Sequence, residues 1–144
     1  MPRINPWNLP REPLPQETGT FPDGNGGEFT LRLRGLSGIE MTRAGQRGAQ
    51  YVLDYVSPPP GQERRDLVGP DGQIITLEEP DARIIAQLEE MHVPEDGEAP
   101  YSLADWYAFG SFAPDVWVWA VRTSDTLLGQ SQERLKNSSA APEP

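Results

Sequence analysis

Residues 101–128, YSLADWYAFGSFAPDVWVWAVRTSDTLL, hold three of the four tryptophans, two of the four tyrosines and two of the four phenylalanines. Large rings carry most of the burial in a small domain, so the core has to be built on this stretch. Ser102 followed by Asp105 has the form of a helix capping box, with the hydroxyl bonding the N3 amide and the carboxylate reaching back. Leu103, Trp106, Tyr107 and Gly110 then fall on one face of a short helix. Gly110 and Ser111 can end it. Pro114 and Asp115 suit the first turn of a second helix, where proline loses no hydrogen bond and an acid meets the positive end of the dipole.

The run Val116-Trp117-Val118-Trp119-Ala120-Val121 is apolar throughout and made of residues that strands favour. Periodicity alone leaves both a doubly buried strand and a buried helix open. Pro114-Asp115 favours helix, as do the stripes Val116, Ala120, Thr123, Leu127 and Trp117, Val121, Ser124, Leu128. Core packing is the ordinary role for these rings. In a helix, however, Trp117 and Trp119 point about 200° apart, so one of them would be left for a partner surface, where tryptophan is enriched.

The first 22 residues carry six of the sixteen prolines. That spacing rules out helix and sheet interior and favours an extended arm. Ile4, Trp7, Leu9, Leu14 and Phe21 are spread along it, and a plain solvated linker has little use for a tryptophan. The arm is therefore expected to dock, either on its own domain or on another subunit. Pro22-Asp23-Gly24-Asn25-Gly26-Gly27 follows as a turn cluster. Asp23 and Asn25 have the spacing of a calcium loop, but Arg34 stands where the bidentate glutamate belongs, so turn chemistry accounts for them.

Residues 28–34 alternate apolar and polar, as a half-buried strand does. Ser37 and Glu40 form a second capping box, opening a helix to about Val56 with Ile39 or Met41, Ala44, Gly48, Tyr51, Val52 and Tyr55 inward. Gly45 and Gly48 each weaken a helix by about 1 kcal/mol. Either they let another helix come close or they mark a bend. Residues 65–68 and 73–77 flank Gly69-Pro70-Asp71-Gly72 as a hairpin. With residues 28–34 this predicts a three-stranded sheet. Pro80 and Asp81 start a helix to about His92, and an acidic loop follows at residues 93–98. The expected whole is α+β, with a small antiparallel sheet of about three strands packed with three to four helices. Its divisions are a Pro/Gly-rich arm over residues 1–27, one core domain over 28–135 and a disordered tail over 136–144.

A net charge of −10 argues against nucleic acid as a ligand, since phosphate binding needs a basic surface. Without cysteine there is no disulfide, thiolate nucleophile or Cys-ligated zinc. No apolar run approaches the ~20 residues of a membrane span, and the N-terminus lacks a signal-peptide core, so a soluble cytoplasmic product is expected. His92, the sole histidine, has no HExxH spacing or evident nucleophile around it and reads as structural or solvated. The acids at residues 78–81, 89–90 and 95–98 could pair as in a glycosidase, but their places in turns and on polar helix faces suit a solvated surface. No catalytic residue, cofactor, metal, membrane contact or small-molecule substrate is expected.

The order of an FTLRL strand, a helix capped at SGIE, a GPDG hairpin and the aromatic closing helices resembles the small tail assembly chaperones and related minor proteins of tailed bacteriophages. Those join a short β element to a helical bundle whose last helices carry a loose apolar pattern, which Ser102, Leu103, Pro114, Trp117, Val121 and Leu127 fit. The likeness covers residues 28–128 at most. It implies binding to a tape-measure or tube protein in the host cytoplasm before the tail polymerises. The Pro-rich arm departs from that family and suits a resident virion protein, such as a head decoration, connector or baseplate accessory, whose arm laces copies together. A third reading is an acidic adaptor or inhibitor of a basic partner. Under all three, the residues expected to meet a partner are Trp7, Leu9, Leu14, Trp106, Trp117 and Trp119.

Overall fold

The structure, a computed structural model, describes residues 3–139. Strands β1 (Gln16–Pro22) and β2 (Glu28–Arg34) form an antiparallel hairpin in which Gln16 pairs with Arg34 and Pro22 with Glu28. The turn between them is tied by Asp23, whose Oδ1 accepts from the amides of Asn25 at 2.7 Å and Gly27 at 3.0 Å. Those two bonds account for the aspartate at that position. Helix α1 (Gly38–Tyr55) follows, then the short strands β3 (Leu67–Val68) and β4 (Ile74–Ile75), and helices α2 (Glu79–Met91), α3 (Leu103–Phe112) and α4 (Pro114–Ser139).

Both capping boxes form. The Ser37 hydroxyl accepts from the Glu40 amide at 3.2 Å while the Glu40 carboxylate accepts from the Ser37 amide at 3.0 Å. Ser102 and Asp105 make the same exchange at 3.2 and 2.9 Å. Residues 116–121 are helical, as the proline and the continuing stripe favour. Along α4 as far as residue 133 the buried positions are Val116, Ala120, Ser124, Leu127 and Ser131, about one per turn. Each buried serine satisfies its hydroxyl on its own helix, Ser124 on Val121 and Ser131 on Leu127, both at 2.8 Å. Gly48 is the contact point of α1 with α2, where an added Cβ would lie 3.4 Å from the Arg83 Cα and 3.6 Å from the Ala86 Cβ.

Three expectations need correction. The arm over residues 1–27 is shorter than its prolines suggest, because residues 16–22 are β1, an integral strand. Proline closes this strand at Pro22 and otherwise lies before it, so the ladder survives. The three-stranded sheet is instead two separate hairpins, β1-β2 and β3-β4. The next neighbour of β2 is the chain leaving α2, through a bridge between Leu33 and His92 and a 2.9 Å bond from the Val93 amide to the Arg32 carbonyl. Finally, α4 runs on through part of the expected tail to Ser139. The remainder of that tail, residues 140–144, lies outside the described residues.

The helix-facing side of β1-β2 carries Phe21, Leu31 and Leu33. Leu33 joins the main core with Leu36, Ile85, Leu88, Met91 and Trp106, while Phe21 and Leu31 meet Val116 in a smaller cluster beside it. Fully burying one such Leu or Ile contributes about 1.5–3 kcal/mol, which is why α2, buried at Ala82, Ile85, Ala86, Leu88 and Met91, stands at the centre.

Candidate functional site

The N-terminal segment leaves the body at Pro15, whose carbonyl accepts from the Gly35 amide at 2.8 Å. Leu14 and Pro15 are half-buried, and residues 3–13 are exposed throughout. A short 3-10 turn at Pro6–Asn8 is capped by Asn5, whose Oδ1 accepts from the Trp7 amide at 3.1 Å. Arg11 donates to the Trp7 carbonyl at 3.3 Å. These bonds shape the segment but cover none of its apolar side chains. Trp7 remains 79% exposed, Ile4 72% and Leu9 53%.

The other expected contact residues sit differently. Trp106 is wholly buried at the centre of the core and presents no surface to a partner. Its ring packs edge-on to His92 and Tyr101, with centroids 5.8 and 5.9 Å away, and its Nε1 is buried without an acceptor. Trp117 and Trp119 point apart, as helical spacing requires, and both are half-buried by their own fold. Trp117 rests on Gly110 of α3, and Trp119 meets Gly19 of β1 and the edge of Phe21 at 5.4 Å. A short helix on one side and a sheet on the other absorb both rings, leaving Val118 between them exposed. Of the expected residues, Trp7, Leu9 and Leu14 thus share one segment, while the other three tryptophans belong to the α3-α4 core and its flanks.

Of the acids, Glu89 and Glu90 are engaged in packing contacts between helices. Tyr51 donates to Glu89 at 2.6 Å, and Arg43 and Arg47 both reach Glu90 at 3.1 Å, which stitches α1 to α2. Burial raises the Glu89 carboxyl above its ordinary range. Burial also raises the Tyr51 hydroxyl, with Glu89 adding to the effect. Hydrogen bonds from Arg34 pull Glu40 down to about 2, against the opposing effect of burial, and Ser37 adds to the lowering. Among the described residues no group of three or more His, Asp or Glu is placed to hold a metal ion. None of the described helices is long and apolar enough to cross a membrane.

A recess of about 280 Å³ opens between α1, α2 and α4. Leu36, Met41, Ala44 and Leu128 wall it, Gly45 and Gly48 keep it open on the α1 side, and Arg83, Gln87 and Gln132 stand around it. A Cβ on Gly45 would touch nothing within 4 Å. Arg83 is held by Glu79 at 3.1 Å, and the Gln87 amide nitrogen donates to Ser124 at 3.4 Å. In the sequence the two glycines are the only trace of this recess, since its other residues come from three separate helices and the turn before α1. Compared with known proteins, the chain matches no family model, no curated protein and no solved structure.

Proposed function

We propose that this protein is a non-catalytic assembly factor of the tailed-phage type, which engages another structural chain through its N-terminal segment. The observation that carries this reading is the display of Ile4, Trp7 and Leu9 in solvent, ahead of a body that covers its other tryptophans. Isolated exposed apolar residues are ordinary, but three within six positions of a proline-braced segment form a ready binding element. Pre-extension lowers the entropy lost on docking, and the indole supplies a rigid anchor. The loose likeness to tail assembly chaperones points to a tape-measure or tube protein as the partner.

A second reading, a resident virion component whose arm laces neighbouring copies, is favoured by where the arm begins. Its root at Pro15 lies beside Gly35, next to Leu36 in the wall of the recess. Two measurements separate the readings. A chaperone keeps a co-expressed tail protein soluble and is missing from purified particles. A virion component is found in particles at a copy number that matches a ring or lattice. Failure of both tests removes the proposal.

A further inference from the structure

We infer that the recess between α1, α2 and α4 receives Trp7 from a second copy of this chain, so that each arm links one body to the next. This rests on the second reading above, in which the arm laces neighbouring copies, and names the surface that receives it. The sizes agree. At about 280 Å³ the recess falls below the roughly 300–1,000 Å³ of pockets that enclose drug-sized ligands, and it suits one large side chain. Its walls of Leu36, Met41, Ala44 and Leu128 match an indole face. The amide oxygen of Gln87 supplies an acceptor for the indole N–H, which a buried tryptophan requires.

The arm's own stiffness selects a neighbour over its own body. Gly35 is gripped between Pro15 and Ser131, so the arm starts at the edge of the recess, beside Leu36 and Gln132. Trp7 lies eight residues upstream, which at ~3.1 Å per residue for a Pro-rich segment places its ring ~25 Å away. Pro6, Pro10, Pro13 and Pro15 fix their own φ angles and hold the preceding residues extended. To fill its own recess the arm would have to double back within those few residues. Charge favours docking on a body of this kind without choosing between its own and a neighbour's: residues 3–15 carry Arg3 and Arg11 against Glu12, whereas the whole chain has a net charge of −10. Asp125, one turn before Leu128 on α4, is exposed and offers a local counter-charge to an incoming arm. Because donor and acceptor surfaces differ, the contact is head-to-tail and repeats into a ring or an open filament.

The chain has no native cysteine, so single cysteines report the contact directly. Asn8→Cys places a thiol beside the ring, and Gln132→Cys places one at the mouth of the recess. Both residues are exposed, and the thermal melt of each variant should match that of the unaltered chain. Oxidising a mixture of the two single variants is expected to give a covalent heterodimer, and the double variant a ladder of multimers. Adding Trp7→Ala to the Asn8→Cys chain should abolish both products. Closure of the double variant within one chain, without a mixed product, would put the arm in its own recess and overturn the inference. Absence of any cross-link would overturn it too. If the cross-link is missing while deletion of the arm still releases a foreign tail protein, this inference fails and the assembly reading survives. A Trp7-dependent cross-link with no arm-dependent foreign partner has the opposite meaning: copies of the chain link to one another, and the foreign-partner reading fails.

Discussion

A Cβ on Gly19 would lie 2.7 Å from Cε2 of Trp119, so the indole rests directly on the backbone of β1. No side chain larger than hydrogen fits there without moving Trp119 or Phe21, whose ring is 2.8 Å from the same point. Overpacking of this kind typically destabilises by about 1–3 kcal/mol. Gly19→Ala should therefore lower the urea midpoint, and Trp119→Ala in the same chain should relieve much of that loss. A double-mutant cycle measures the coupling. Strict additivity would show that the ring does not press on β1.

This contact also marks what can be read from the amino acids alone. The helices are legible because their signals are local: two capping boxes, two prolines at helix starts and stripes one turn apart. The β3-β4 hairpin follows from Gly-Pro-Asp-Gly. By contrast β1 is hidden, because Pro13, Pro15 and Pro22 dominate its neighbourhood, and its single buried ring, Phe21, makes a weak period. What specifies it is tertiary, namely pairing with β2 and the seat of Trp119 over Gly19. The fates of Trp117 and Trp119 are unreadable for the same reason, since each is covered by an element distant in sequence or beyond a turn. At the arm, Trp7 and Leu9 are exposed, whereas Trp106 is the centre of the core.

Acid should weaken the fold first through His92. Its ring stacks on Tyr101 at 5.1 Å, its Nδ1 is buried without a partner, and burial holds the imidazole below its ordinary value of 6.5. As pH falls below that value the unfolded chain takes up a proton that the folded chain resists, so stability drops toward the lower, folded value. Glu89, raised by burial, acts in the opposite sense and gains stability as it is protonated. Comparing His92→Phe with the parent isolates the histidine. Between about pH 8 and pH 5 the parent should lose stability relative to the variant. Parallel urea midpoints across that range would show that the imidazole does not titrate against the fold.

A second acid step belongs to the start of α1. Glu40 accepts from both Arg34 and Ser37, and these bonds keep its carboxyl ionised down to about 2. Its contribution is complete above the ordinary carboxyl value of 4.5 and fades as pH falls from there toward the folded value. Glu40→Gln should flatten that part of the stability profile. Ser37→Ala, which removes the hydroxyl acceptor for the Glu40 amide, should cost about 0.5–2 kcal/mol by chemical denaturation. No change in either variant would mean that the box does not hold the helix end.

On the proposed function, the segment before β1 is what engages the foreign partner. Co-expressing a tail protein, tape-measure or tube, with the full chain or with a chain lacking residues 1–12 (a cut that spares β1) puts this to the test. The shortened chain should melt at an unchanged temperature and leave its partner insoluble. If the partner instead stays as soluble with the shortened chain as with the full one, the segment is not the binding element.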